Sequence, residues 1–511
     1  MNSCSILFRD ATDRVPDDRC EPPDFFGDLN LGQIVAAVAA GKEEYNLKPF
    51  FYAALRDVDC IRFRHEVMQD LEDARLLAAL RDFALGMRAV RDSLARLEKH
   101  PYVHQKEYWF LETLARYGEV VARLSSDLSA AGCRSRGFRA FSAHLMQYAS
   151  SATFASLVDE AKRLKAELSA IRYSVVIRGS RVEVHRYGES PDYGGEVAAT
   201  FARFQQGAAQ ERRFKFSNAT EMNHIEAQIL DGVVQLHRET FAKLGDFYAA
   251  RREFFDAAIV AFDREVQFYI AYLDYIAPLK KAGLAFCCPR VDRSDKEVHG
   301  EQVFDLALAV KLVEKGAAPV CNDFHLKGRE RIIVVSGPNQ GGKTTFARTF
   351  GQLHYLGGLG LPVPGAKAQL HLFDRIFTHF EREEQTSNLR GKLEDDVVRI
   401  HAILQAATPH SVIIVNEIFA STTLRDALFL GRTIAAAMIR LDVLCVWVTF
   451  LDELSALGEQ TVSMVSTVVL GNPAQRTFKI VRQAADGLAY AMSLAEKHRL
   501  TYAVILGRLQ P

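Results

Sequence analysis

The octapeptide Gly337-Pro338-Asn339-Gln340-Gly341-Gly342-Lys343-Thr344 constrains this chain more than any other feature. It follows the apolar run Ile332-Ile333-Val334-Val335 and opens a stretch, 345–351, with helical character. Strand, glycine turn and helix in that order make a P-loop. Successive backbone N–H groups wrap a phosphate, and the helix N-terminus adds positive dipole. The lysine reaches the β- and γ-phosphates, and the hydroxyl after it ligates Mg2+. The reading gives a nucleoside triphosphate and Mg2+ as ligands, with Gly337, Pro338, Asn339, Gln340, Gly341, Gly342, Lys343, Thr344 and Thr345 as the binding residues and Thr344 on the metal. The plainer alternative is a glycine turn with a surface lysine.

A P-loop needs a carboxylate at the tip of a second strand, and Ser411-Val412-Ile413-Ile414-Val415-Asn416-Glu417 is the apolar run that ends in one. Glu417 is the expected general base, polarising the water that attacks the γ-phosphate, with Lys343 the other catalytic residue. Asn416 occupies the place where an Asp usually secures the outer shell of Mg2+. It can hydrogen-bond a metal-bound water but brings no charge, so weak metal binding and slow turnover are expected.

Short apolar runs at 332–335, 412–415, 444–448 and 467–470 alternate with helical stretches such as 396–407 and 423–439. That alternation builds a mostly parallel, doubly wound sheet covered by helices. Upstream the period changes. Residues 25–170 are rich in Ala, Leu, Arg and Glu with apolar spacings of three and four, which predicts helices. Two β-branched runs, 173–178 and 181–186, flank Gly179-Ser180 and predict a hairpin. Tyr248, Phe255, Phe262, Tyr269 and Ile276 recur every seven residues, with Ile259, Val266 and Leu273 four after members of that series. The seam predicts one helix of ~50 residues, ~75 Å long at 1.5 Å per residue, serving as packed core, as a lever, or as both.

Lys+Arg and Asp+Glu number 63 each, so no net field advertises nucleic acid and any contact with it rests on a local patch. Eight cysteines without CxxC spacing read as reduced thiols. No apolar run approaches the ~18 residues of a membrane helix. The first residues carry Pro16, Pro22 and Pro23 and no apolar h-region. A cytoplasmic protein without membrane contact is expected. His224, His237 and His325 stand apart from second ligands, so no structural metal is expected.

Three segments, 335–345, Asp374-Arg375-Ile376-Phe377-Thr378 and Val415-Asn416-Glu417-Ile418, resemble the ATPase domain of the MutS mismatch-repair family in order and spacing. Upstream, 26–31 and 59–67 resemble the start of that family's helical core, and 273–289 the end of its lever. The resemblance implies a multidomain chain. A flexible tail (1–24) precedes an all-α core and lever domain with long helices (25–295), carrying a reduced clamp with a small β-hairpin insertion near 171–215. An α/β P-loop ATPase domain of ABC type (296–511) follows. It also implies a homodimer joined through the ATPase domains, DNA as partner, and Asn339 close to the γ-phosphate.

Three positions depart from the family pattern. Asn416 is one. Phe450, in Val448-Thr449-Phe450, stands where the family has a γ-phosphate-sensing histidine, and a phenyl ring donates no hydrogen bond to an oxyanion. Gly391 stands where the trans-acting signature would place a hydroxyl, with Lys392 or Arg390 as charged substitutes. Each loss costs about 2 to 4 kcal/mol of transition-state stabilisation if uncompensated. With the core expected to start near Phe25, no counterpart of that family's mismatch-reading domain and its Phe-x-Glu wedge is expected. Arg172, Arg178, Arg181, Arg186, Arg212, Arg213 and Lys215, interleaved with Tyr173, Tyr187 and Phe214, either track a phosphate backbone or form a solvated face neutralised by Glu183, Glu189 and Glu211. The expectation is a slowly hydrolysing, ATP-controlled dimeric clamp on mismatched or branched DNA. One alternative is a non-hydrolysing ATP-dependent scaffold whose lever binds a protein partner. The other is an unrelated P-loop kinase, for which no acceptor lid is found.

Overall fold

A computed structural model of the chain describes residues 4–10, 21–179, 181–188, 193–202, 222–381, 391–469, 472–485, 500–502 and 505. The chain divides into two compact units, one of Met1–Ala74, Cys133–Phe141 and Ala261–Pro511, the other of Arg75–Gly132 and Ser142–Val260. This is not the expected division at 295. Residues 25–74 and 261–295 belong with the α/β part because their side chains and carbonyls are built into it. Arg348 Nε donates to Asp28 O (2.8 Å), Gln352 Nε2 to Leu29 O (3.0 Å), Tyr355 Oη to Phe51 O (2.8 Å) and Tyr272 Oη to Pro362 O.

The first unit is organised by a six-stranded sheet in the order Ile376–His379, Val412–Asn416, Leu444–Val448, Ile332–Ser336, Thr461–Val469, Asn472–Arg482. Its first five strands are parallel and the last is antiparallel. The three central strands are buried along their whole length, as apolar runs covered on both faces must be. Register sets the tips level: Asn416 pairs with Val448, and Val448 with Val335. Helices Lys343–Gly358, Lys392–Ala406 and Leu424–Leu441 follow three of these strands. A smaller four-stranded sheet runs Arg290–Asp292, Lys367–His371, Val298–Val303, Asn322–Leu326.

Within the expected flexible tail, Ser5, Ile6, Leu7 and Phe8 are buried. Ser5 Oγ and the Ile6 N–H both donate to Glu265 Oε2 at 2.8 Å, and Arg64 Nε donates to Leu7 O at 3.1 Å. A buried carboxylate and a buried guanidinium each need partners, and this segment's backbone supplies them.

The second unit is helical, built on Ala74–Leu97, Val103–Ala131, Ala152–Ser169, His224–Leu236 and Arg238–Ala250. The hairpin Tyr173–Arg178 with Arg181–Arg186 forms as read, Val175 facing Val184. The single ~50-residue helix does not. Residues 224–281 make three helices, His224–Leu236, Arg238–Ala250 and Ala257–Lys281. The last begins where Asp256 Oδ1 accepts the N–H groups of Ala258 (2.9 Å) and Ile259 (3.0 Å), an N-cap that starts a new helix. Phe255 therefore lies off the helix, while Ile259, Phe262, Val266, Tyr269 and Ile276 are buried as the seam requires. Among the described residues no helix is long and apolar enough to cross a membrane.

Candidate functional site

The loop between Ser336 and Lys343 is shaped by residues that tolerate its backbone. Gly337 and Gly342 have φ of +109° and +91°, and Gln340 has +61°. Space is as strict as torsion: a Cβ on Gly341 would lie 2.2 Å from Ser466 Oγ and 2.9 Å from Pro338 O. Ser466, buried on the neighbouring strand, donates its hydroxyl to Gly341 O at 2.7 Å. Arg476 Nε donates to Asn339 O at 3.1 Å, fastening the far side of the loop.

Lys343 heads the helix Lys343–Gly358 and is 5% exposed. Its ammonium donates to Gly337 O (2.8 Å), Pro338 O (3.2 Å) and Asn339 Oδ1 (3.2 Å) and stands 3.9 Å from Glu417 Oε1. Burial pushes its pKa below the usual lysine range, against the opposing pull of Glu417. A cation so desolvated, ringed by neutral carbonyls and one carboxylate, is a site that an added anion would stabilise.

The Thr344 hydroxyl donates to Asn416 Oδ1 at 2.9 Å, so the residue read as metal ligand and the residue read as its outer-shell support do meet. Thr345, half-buried in the first turn, accepts from the Thr349 hydroxyl through its carbonyl. Asn339 and Gln340 are exposed on the outside of the loop. Glu417 follows directly on the strand Val412–Asn416, with φ +53° and its N–H donating to Val448 O at 2.9 Å. Loop, lysine, hydroxyl, amide and carboxylate thus converge at the tips of Ile332–Ser336 and Val412–Asn416, the two strands that flank Leu444–Val448.

At the departures, Phe450 is 51% exposed, beyond the tip of the strand Leu444–Val448. Thr449 is buried and its hydroxyl accepts the Leu451 N–H at 3.0 Å, so it supports the local turn. Gly391 precedes the helix Lys392–Ala406 and Lys392 pairs with Glu381. Arg390 lies outside the described residues, as do Glu189, Glu211, Arg212, Arg213, Phe214 and Lys215 of the basic patch. Of that patch, Arg178 and Arg181 face each other at the hairpin end, Arg172 lies over the Tyr187 ring at 5.9 Å, and Glu183 stands 3.5 Å from His185.

Sequence reasoning missed Ser466, Arg476 and Phe478. Phe478 is 49% exposed with φ +59°, its ring 3.7 Å from where a Cβ on Gly342 would sit. Each comes from strands more than a hundred residues beyond the loop, and no spacing signal connects them to it. The run 462–469 holds Ser463, Ser466 and Thr467 alike, so nothing in the sequence singles out Ser466.

The residues present fit a nucleoside triphosphate, since the loop admits no Cβ at Gly341 and points a buried ammonium into itself. Comparison with known proteins agrees in kind. Residues 333–506 match the family model described as MutS domain V. Endonuclease MutS2 of Gemmatimonas aurantiaca is 27% identical over 197 residues, 38% of this chain and 24% of that protein. The DNA mismatch repair protein MutS of Thermotoga maritima is 26% identical over 168 residues, 33% of this chain and 21% of that protein. Its counterpart in Shouchella clausii is 28% identical over 191 residues, 37% and 22% of the two chains. The matched stretch spans about a quarter or less of the length of these curated relatives.

Proposed function

We propose, from the premise that the chain belongs to the MutS family through residues 333–506, that it binds ATP at the Gly337 to Thr344 loop, hydrolyses it slowly, and uses nucleotide state to control a dimeric clamp on DNA. The observation that carries this reading is the buried Lys343 ammonium, held by three loop oxygens and 3.9 Å from Glu417. Lys343 holds phosphate oxygens. Thr344 and Asn416 hold the metal and its water shell, and Mg2+, when bound, neutralises phosphate charge. Glu417 accepts the proton of the attacking water. Slow turnover follows from the neutral Asn416 and from the phenyl ring of Phe450, which offers the phosphate no donor.

The test is titration with a fluorescent ATP analogue, mass in solution with and without ATP, and gel shifts on homoduplex, mispaired and junction DNA at low and moderate salt. Lys343→Ala is expected to lose nucleotide binding. Parent-like binding by Lys343→Ala, or no salt-sensitive DNA complex, refutes the corresponding half of the proposal. A second reading, a scaffold that binds ATP without hydrolysing it and engages a protein partner, is motivated by Asn416, Phe450 and Gly391. A turnover more than about tenfold above that of Glu417→Gln rules it out.

A further inference from the structure

The turn that carries Glu417 is held from outside the nucleotide loop. Glu417 and Phe419 are both left-handed, with φ of +53° and +64°, and neither is glycine. Such backbone persists only where neighbouring bonds over-determine it. One bond is from the Glu417 N–H to Val448 O, backbone to backbone. The other is from the Phe419 N–H to Asp396 Oδ2 at 3.3 Å, and it depends on one side chain.

Asp396 is buried on the helix Lys392–Ala406. Its other oxygen, Oδ1, faces His379 Nε2 at 3.4 Å. His379 ends the strand Ile376–His379 in register with Val415, two residues before Glu417. It is 1% exposed, and neither ring nitrogen completes a hydrogen bond. Burial holds this imidazole neutral and raises the Asp396 carboxyl, so the pair is kept in place without a strong ion pair to reward it. A buried carboxyl spent on the amide of a strained turn, walled by a histidine with no partner of its own, is an arrangement that core packing alone does not require.

We propose that Asp396, backed by His379, is a positioning residue that fixes the Glu417 turn and so sets the direction of the Glu417 carboxylate. The proposal rests on the reading of Glu417 as the base. It predicts that Asp396 acts through geometry, so an oxygen acceptor at this position suffices and its charge does not matter.

The experiment uses the full chain, steady-state ATP hydrolysis with Mg2+, and amide hydrogen exchange across residues 416–420. Asp396→Ala removes the acceptor of the Phe419 N–H, whereas Asp396→Asn keeps a carbonyl oxygen there. Asp396→Ala is expected to lower kcat by at least about tenfold while KM stays within about threefold, and to speed exchange at Phe419. Asp396→Asn stays within about threefold of the parent in kcat. Asp396→Leu, close in shape to Asp but without an acceptor, replaces the alanine variant if that one does not fold, with the same expected losses and with Asp396→Asn as its reference. In a Glu417→Gln background, Asp396→Ala adds no further loss, because both changes act through one group. Parent-like kcat and exchange in Asp396→Ala overturn the proposal, as does equal damage by Asp396→Asn. An inactive Glu417→Gln beside a parent-like Asp396→Ala refutes the positioning alone, whereas a parent-like Glu417→Gln refutes the base. If the parent turns over too slowly to rank, exchange at Phe419 decides.

Discussion

Gly341→Ala isolates the steric logic of the loop. The new Cβ would meet Ser466 Oγ at 2.2 Å, Pro338 O at 2.9 Å and Ser466 Cβ at 3.1 Å. The hydroxyl can rotate away only by giving up its 2.7 Å bond to Gly341 O, in a place where Ser466 is fully buried. Losing that bond costs about 1 to 3 kcal/mol. The clash with Pro338 O is with backbone, so the loop itself must also give by a few tenths of an ångström. Together these put the weakening of nucleotide binding at about 2 to 4 kcal/mol, roughly thirtyfold to a thousandfold in Kd. Ser466→Ala alone removes one hydrogen bond and costs about 1 kcal/mol. In the Ser466→Ala background the shortest clash is gone, so Gly341→Ala should cost about 1 to 2 kcal/mol less than in the parent. A fluorescent ATP analogue measures Kd for the four proteins, and thermal unfolding without nucleotide separates loop damage from loss of fold. The reasoning is refuted if Gly341→Ala binds within about twofold of the parent, or costs the same in both backgrounds.

Asn416→Asp should raise Mg2+ affinity or ATP turnover, since it keeps an oxygen acceptor for Thr344 Oγ1 and adds a charge; Mg2+ titration of the hydrolysis rate reads this, and no change in either removes Asn416 from the metal's surroundings. Phe450→His, at a half-exposed position with little core to disturb, should raise kcat by up to about a hundredfold if the donor it restores reaches the phosphate, and a single-turnover assay at saturating ATP decides. His65, His354 and His379 are each pushed by burial to about 4. Below the unfolded value of 6.5 the unfolded chain takes up their protons first, so stability is full at neutral pH and is lost as pH falls towards 4. One such histidine accounts for about 2 kcal/mol lost by roughly pH 5, so His354→Gln should flatten the fall of the urea midpoint between about pH 7.5 and 5.

What the sequence disclosed about this site is what local chain order controls. The loop, the helix it opens and the strand ending at Asn416 are each contiguous, and contact between Thr344 and Asn416 follows once both strands are placed in one parallel sheet. The long helix misled because heptad spacing records burial, and Phe255 satisfies it whether or not the backbone around it is helical. The local signal that mattered was Asp256, whose short carboxylate competes for the N–H groups of the next turn and starts a new helix. Residues 5–8 sit in a charged stretch and read as a tail until Glu265, 260 positions away from Ser5, is set beside them. Ser466 and Asp396 were hidden for the same reason: their partners, Gly341 and Phe419, lie 125 and 23 residues off, and nothing in spacing foretells such pairs.

The helix that begins at Lys343 gives the site its mechanical reach within the first unit. It is buried along nearly its whole length, from Phe346 to Gly358, so no face is free to move independently of its surroundings. Gly351 shows how close the packing is: a Cβ there would lie 2.6 Å from Ile414 on one side and 2.7 Å from Leu29 on the other. Ile414 belongs to the strand that ends at Asn416, and Leu29 to the segment whose carbonyls accept Arg348 and Gln352. A change at the helix N-terminus therefore meets the sheet and the 25–55 segment at once. Close-packed interiors transmit such a shift because they are hard to compress. Asp28 extends the same chain of contacts, its carbonyl taking Arg348 and its carboxylate taking Thr378 Oγ1 at 2.6 Å from the edge strand next to Val412–Asn416. Nucleotide occupancy, on this reading, is felt first at Asp28 and Leu29, and Gly351→Ala should uncouple the two by forcing the helix off either the sheet or Leu29. Hydrogen exchange of residues 26–35 with and without ATP measures it. Protection that rises on ATP binding in the parent and not in Gly351→Ala supports the coupling, and protection indifferent to ATP in the parent refutes it.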